Sequence, residues 1–297
     1  MIIADSGPEY RILPKPASLW LVGSPKYNYI IWILFCMGSF MLDYLAPTLS
    51  REVTVNILGT WIDNLSRTEL LASLEKTGGL VVTPNVDHLL KLQKDPEFRR
   101  AYSQAQYCVC DSKIVQIASY FLGQPIREKI SGSDFFPAFY QHHAHNSQVR
   151  IFLLGAMPGV ASVAQQKINA KVGREIVVGV YSPPFGFEKD EAECHKIIQL
   201  VQQSGATVLA LGLGTPKQEK WLYRYRGRLP FIKIFLAIGA TIDFEAGQVR
   251  RSPKWMSEMG LEWLFRLILE PRRLWRRYLI EGLPFFWLIF KQKFDSN

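Results

Sequence analysis

Four short polar stretches each follow an apolar run, and they hold most of the side chains in this chain that could do chemistry. They are Thr83-Pro-Asn85-Val-Asp87, Asp111-Ser112, Gly155-Ala-Met-Pro-Gly159 and Gly212-Leu-Gly214-Thr-Pro-Lys-Gln218-Glu219. Asp111 ends one apolar run and precedes a helical segment. It is therefore either a helix N-cap or a carboxylate at the mouth of a sheet, where partial desolvation lifts its pKa toward that of a useful general base. Thr83 and Asn85 are a hydroxyl and an amide that could grip a sugar, and Asn85 could equally cap a helix. Gly212 and Gly214 resemble half of a phosphate loop, in which glycines let the backbone approach a diphosphate and a helix N-terminus supplies free N–H groups. The third glycine of a dinucleotide fingerprint is missing, and Gln218 and Glu219 occupy its region, so the match to an NAD-binding turn is poor. The same residues also fit a tight turn with Pro216 opening the next helix.

Other candidates are basic or contain imidazole. Glu270-Pro-Arg-Arg-Leu-Trp-Arg-Arg-Tyr278 carries four arginines. Arg266, Arg273 and Arg277 would share a face of one unbroken helix, but Pro271 is expected to begin a second helix. Within that helix Arg272 pairs with Arg276, and Arg273 with Arg277, at i,i+4, while Leu274, Trp275 and Tyr278 are apolar. A solvated basic face over packed aromatics and an anion-binding face both fit this pattern. Gln141-His-His-Ala-His145 can place His142 and His145 on one face. No carboxylate accompanies them in the segment, so a solvated helix end is expected. No Asp-x-Asp pair is present to hold a divalent ion against a diphosphate, and no metal is expected.

These residues need a frame. From Val53 onward strands and helices alternate. Strands are expected at 53–58, 80–83, 107–110, 149–155, 175–181, 207–214 and 232–239. Ser66 and Glu69 form a capping box for a helix over 66–79, which Gly78-Gly79 ends. Further helices are expected after Asn85, from Asp95-Pro96, from Ser112 to Leu122, from about Val160 and over 190–204. The strands are nearly continuous apolar runs, which indicates burial on both faces and a mostly parallel sheet. The expected fold is therefore α/β, a doubly wound Rossmann-like sheet, with ligands at the carboxyl ends of the strands. Residues 51–248 form this core, 249–297 a helical basic and aromatic appendage, and 1–50 an extension with an apolar segment.

The formal charge of the 297 residues is +9, and from Arg250 to Asn297 ten Lys/Arg face five Asp/Glu. A basic, aromatic tail suggests an anionic partner: phosphate, nucleic acid or acidic lipid. The run Leu283-Pro-Phe-Phe-Trp-Leu-Ile-Phe-Lys-Gln-Lys293 has the composition of a membrane-interface segment. Residues 29–42 are apolar but short for a spanning helix. They read as an interfacial helix, a short anchor, or sequence ahead of the true start. The four cysteines show no zinc or disulfide spacing, which suits a reducing compartment.

Together, "TPNVDHLLKLQKDPEFRRAY", "VCDSKIV", "REKISGSDFF", "GLGTPKQEKW", "GATIDFEAGQVRRSPKW" and "GLEWLFRLILEPRRLWRRYL" resemble the WecG/TagA/CpsF glycosyltransferases, from about Val53 to Leu279. The resemblance implies an inverting, metal-independent hexosyltransferase with no cofactor. Its donor would be a UDP-sugar carrying N-acetylmannosamine, its uronic acid, or glucose. Its acceptor would be a polyprenyl-diphosphate-linked saccharide at the cytoplasmic face of the bacterial inner membrane, in the synthesis of cell-surface polysaccharide. The protein would be peripheral or held by a short N-terminal anchor, and nucleic acid is not an implied partner. The resemblance makes Asp111 the base, Thr83 and Asn85 sugar-site residues, Arg127 and Gln218 motif residues of the substrate site, and Arg266, Arg273 and Arg276 the appendage arginines. Gly212, Gly214 and Glu219 complete the substrate-binding set. The family usually has Asp-Gly where this chain has Asp111-Ser112, and a side chain there bears on donor choice. The competing readings are a non-enzymatic basic module that binds acidic lipid or nucleic acid through the tail, and an NAD-linked enzyme.

Overall fold

The structure is a computed structural model that describes residues 54–295, apart from the side chains of Lys254 and Arg273. The expectations for residues 1–50, including the apolar run at 29–42, lie outside the described residues. Among the described residues, six strands form one parallel sheet: β3 (Gly79–Val82), β4 (Tyr107–Cys108), β5 (Ile151–Gly155), β6 (Val177–Tyr181), β7 (Val208–Gly212) and β8 (Ile234–Ala237). Their order is β4-β3-β8-β7-β5-β6, with every neighbouring pair parallel. The chain builds β3 and β4 outward, crosses to β5 and β6, and then returns to fill the centre with β7 and β8. That reversal of direction creates the crevice at the carboxyl edge where such sheets take ligands.

The apolar runs are explained by burial on both faces. Along β5, Phe152 and Leu154 enter one core while Ile151 and Leu153 enter the other. Strands β7 and β8 divide in the same way: Leu209, Leu211, Phe235 and Ala237 lie on the first face, and Val208, Ala210, Ile234 and Leu236 on the second. Helices α1 (Arg67–Thr77), α2 (Val86–Lys94), α3 (Pro96–Tyr102), α4 (Lys113–Phe121), α5 (Gly132–His142), α6 (Val160–Val172), α7 (Glu191–Gln203), α8 (Lys217–Tyr225) and α9 (Thr241–Ala246) cover the sheet. Their starts follow local chemistry. Ser66 and Glu69 form the capping box of α1, Asn85 accepts from the His88 N–H to cap α2, and Asp95 caps α3 with Pro96 at its first position.

The first expected strand does not join this sheet. β1 (Thr54–Ile57) turns through Leu58 and Gly59, both at positive φ, into an antiparallel β2 (Thr60–Asp63). The hairpin acts as a clip. Asp63 accepts from the Cys108 N–H at 2.7 Å and so blunts the exposed edge of β4. Burial raises the pKa of Asp63, and that backbone bond opposes the rise. The Leu58 N–H donates to Gln292 Oε1, and Gln292 Nε2 donates back to the Asn56 carbonyl.

After Gly247 the chain forms α10 (Lys254–Glu258), α11 (Glu262–Leu269), α12 (Pro271–Leu279) and α13 (Leu283–Asp295). Pro271 does begin a new helix. Helix α13 is two-faced: Phe285 and Ile289 are buried in the core beside Val55, Ile57 and Leu89, while Phe286, Trp287, Phe290 and Phe294 face outward. No helix among the described residues is long and apolar enough to cross a membrane. Truncating a buried Phe costs about 3–5 kcal/mol, and exposed truncations stay within about 0.5 kcal/mol. Phe285→Ala is therefore expected to lower the urea midpoint strongly, and Phe286→Ala hardly at all. Equal effects would contradict the docking of α13.

Candidate active site

Asp111 stands just beyond β4 and is not a helix cap. Ser112 takes that role, its hydroxyl accepting from the Val115 N–H. The Asp111 N–H donates to the Pro84 carbonyl at 3.1 Å, and the Ile130 N–H to the Cys110 carbonyl at 2.7 Å, so the backbone on either side is fixed. Among the described residues the carboxylate keeps one hydrogen bond, a long one of 3.5 Å from Asn85 Nδ2. Some of its surface stays open, yet protein encloses it closely enough for desolvation to push its pKa up to about 7. Glu262 adds to the rise, while Lys129, Arg266 and the Asn85 bond oppose it. The result is a carboxyl group that is half ionised near neutral pH, as a general base requires.

The neighbours of Asp111 come from remote parts of the chain. Lys129 is carried by the Ile130 bond and is held by Asp134 at 3.5 Å and Ser257 at 3.2 Å. Arg266 pairs with Glu262 at 2.9 Å and lies over the Phe244 ring. Sequence reasoning missed Lys129 and Glu262, because neither lies at a strand end; their only signal was membership in the motif stretches. Thr83 is buried at the end of β3, beside the Asn85 turn.

The turn after β7 forms another polar region. Thr215 Oγ1 and Gln218 Nε2 both donate to Glu219 Oε1 at 2.9 Å. Gln218 Oε1 and Glu219 Oε2 are buried with no hydrogen-bond partner among the described residues. Desolvation raises the Glu219 pKa against these two donors. Gly212 is a packing residue: a Cβ there would stand 2.7 Å from Ile242 and 2.8 Å from the Gly239 carbonyl. Gly214 sits at φ +79° with open space around it, so the backbone conformation is what calls for glycine. Helix α8 begins at Lys217, one residue after the expected Pro216.

Lys91 links this turn to α2, bonding Asp87 at 2.8 Å and the Thr215 carbonyl at 3.5 Å. The same Asp87 oxygen accepts from Arg277 at 2.8 Å, which ties α12 to the β3 end of the sheet. Behind them His88 Nδ1 and the Tyr102 hydroxyl lie 2.6 Å apart. Burial holds His88 neutral, its pKa pushed down to about 3. The surface hollow walled by Val201, Leu229 and Phe231 lies at the opposite, amino edge of β7 and β8 and is lined by no ionisable side chain.

Residues 55–297 match the family model described as "Glycosyl transferase WecG/TagA/CpsF family". The chain belongs to the WecG/TagA/CpsF glycosyltransferases. It is 27% identical over 218 residues to an N-acetylglucosaminyldiphosphoundecaprenol N-acetyl-beta-D-mannosaminyltransferase of Bacillus spizizenii, covering 71% of this chain and 81% of that protein.

Within this glycosyltransferase, the expected site residues do not all meet. Asp111 and Asn85 come together, with Arg266 close enough to act on the charge of Asp111. Gln218 and Glu219 join the Lys91–Asp87–Arg277 chain through Thr215. The Arg127 guanidinium is engaged elsewhere, on the Asn64 carbonyl and the Glu69 carboxylate, where it locks the loop before α5 to the capping box of α1. The Arg276 side chain is 73% exposed and lies 3.5 Å from Glu281. The Arg273 side chain lies outside the described residues.

The folded pKa of Asp111, about 7, lies above its ordinary value of 3.8. The folded protein thus binds this proton more tightly than the unfolded chain does. Its contribution is fully present below the unfolded value and is lost as pH rises through the folded value. Asp111→Asn is expected to be more stable than the parent by about 1–3 kcal/mol near pH 8, with the gain vanishing near about pH 4. Urea denaturation at both pH values measures this, and a pH-independent difference would contradict it.

Proposed function

We propose that this glycosyltransferase is an inverting enzyme that moves N-acetylmannosamine or a related sugar from a UDP-sugar to a saccharide carried on a polyprenyl diphosphate. The observation that carries the reading is the uncapped, desolvated Asp111 at the mouth of the sheet, with a pKa of about 7. The sugar and acceptor are suggested by the Bacillus relative, whose name states both N-acetyl-beta-D-mannosaminyl transfer and an N-acetylglucosaminyl-diphospho-undecaprenol.

In the proposed step Asp111 takes the proton of the acceptor hydroxyl. The acceptor oxygen bonds to the anomeric carbon as the bond from that carbon to the diphosphate oxygen breaks on the opposite face. Thr83 and Asn85 orient the sugar. The departing diphosphate gathers negative charge, which Arg266, Arg273 and Arg276 are proposed to meet, together with the backbone at Gly212 and Gly214, without a metal. Arginine suits this work because its planar fork binds two phosphate oxygens at once. Arg277, held by Asp87, sets which side of α12 faces the mouth.

The acceptor suggests a membrane surface at the cytoplasmic face. Trp275 and Leu279 of α12 and Ile280 just after it are exposed, as are Leu283, Phe286, Trp287, Phe290 and Phe294 of α13, near the exposed Arg272 and Lys291. Apolar side chains among cations fit an interface with anionic lipid.

Transfer is tested with a panel of UDP-sugars and a short polyprenyl-diphosphate-linked N-acetylglucosamine, with product mass as readout and a chelator present. The expected result is turnover with the chelator and an acidic limb near pH 7 in kcat/KM. Asp111→Asn should lower kcat by about 10²–10⁴-fold, and Arg266→Ala by about 10²–10³-fold. Near-normal turnover of Asp111→Asn would remove the base assignment. In a separate measurement, Trp287→Ser with Phe290→Ser should reduce sedimentation with anionic vesicles. Unchanged sedimentation would remove the membrane reading of α13.

A further inference from the structure

The histidine run at the end of α5 gains a partner that the sequence conceals. Glu75, on the last turns of α1, lies with Oε2 3.5 Å from His142 Nε2. One donor atom each from Glu75, His142 and His143 fall within 4.8 Å of one another. Two ligands each about 2.0–2.1 Å from a tetrahedral zinc ion stand about 3.3 Å apart, so the Glu75–His142 pair is already near that spacing. The His142 and His143 rings lie 4.8 Å apart at 84°.

Independent of this spacing, His143 is only 3% exposed, and its Nε2 is buried with no hydrogen-bond partner among the described residues. Leaving such a group unmet costs about 1–3 kcal/mol. Its backbone is held firmly. The Arg174 guanidinium donates to the carbonyls of His143, Ala144, Asn146 and Val149. The Phe139 ring packs edge-on against the His143 ring. Arg174 brings a positive charge that opposes a cation, while the Glu75 carboxylate and the carboxyl ends of two helices favour one.

We propose that Glu75, His142 and His143 form a site for a zinc-class divalent ion that clamps the carboxyl ends of α1 and α5. Two imidazoles and one carboxylate suit zinc and its transition-metal neighbours; magnesium prefers all-oxygen shells. Both helix ends lead into the starts of strands, α1 into β3 and α5 toward β5, so the site lies at the amino edge of the sheet, opposite Asp111. Its role is to brace the fold. His145 is not part of the cluster.

The test titrates the untagged full chain with zinc alone against a chelating indicator, with melting temperature as a second readout. One zinc per chain is expected, with a rise in melting temperature. Glu75→Gln and His142→Ala, both at exposed side chains, should each weaken binding by about tenfold or more and abolish the thermal shift. His145→Ala should leave both unchanged, and magnesium should not compete. Transferase turnover of Glu75→Gln should match the parent, which separates this site from zinc bound at the catalytic mouth. Absence of saturable binding, or equal binding by Glu75→Gln and His142→Ala, would overturn the proposal.

Discussion

A carboxylate withdrawn from water without a strong partner among the described residues is the constraint around which the carboxyl edge of the sheet is built. Desolvation disfavours its charge, and the usual remedies at a strand-to-helix junction are a cap or an ion pair. Ser112 removes the first remedy by capping α4 itself. The second is diluted: Lys129 and Arg266 pull the charge one way, but each is also paired, to Asp134 and Glu262, and Glu262 pushes back on Asp111. Ser112 satisfies the helix end, so Asp111 is not drawn into capping it.

Asp87 Oδ2 is one of the links that join the appendage to this edge, beside the Lys129–Ser257 bond. It receives both Lys91 and Arg277, so the turn after β7, the start of α2 and the last turn of α12 share a node. Four arginines stand in nine residues, and chemistry alone does not rank them. The node separates two of them, because the side chain that reaches Asp87 lies on the inner face of α12. Arg277 is that side chain; Arg276, its neighbour in sequence, points some 100° away around the helix and stays exposed. Helix α13 shows the same division: its core-facing residues, Phe285 and Ile289, anchor the appendage, and the outward aromatics leave a surface that suits lipid.

Much of the fold was legible because the signals are local. Continuous apolar runs disclose strands covered on both faces, and Ser66, Asn85 and Asp95 mark helix starts by the N–H groups they must satisfy. The hairpin was half missed. β1 was expected as a first strand of the sheet, but its turn at Leu58-Gly59 and the short β2 turn it into an edge clip, which depends on Asp63 finding the Cys108 N–H. Arg127 illustrates the same limit: its motif suggests a substrate site, while its guanidinium is held by Asn64 and Glu69.

By itself the sequence determined the parallel α/β sheet, the starts of α1, α2 and α3, the strand-end position of Asp111 and Asn85, and the basic, aromatic character of the tail. Each follows from periodicity, capping or composition within a few residues. Tertiary structure alone decided the ionisation of Asp111, the choice of Arg277 over Arg276 at Asp87, and the meeting of Glu75 with His142 and His143. These depend on side chains from distant segments brought within a few ångströms, where water is excluded and charges act strongly on one another. Local spacing cannot encode that proximity, because it is set by how helices pack on a sheet whose strand order is not the order of the chain.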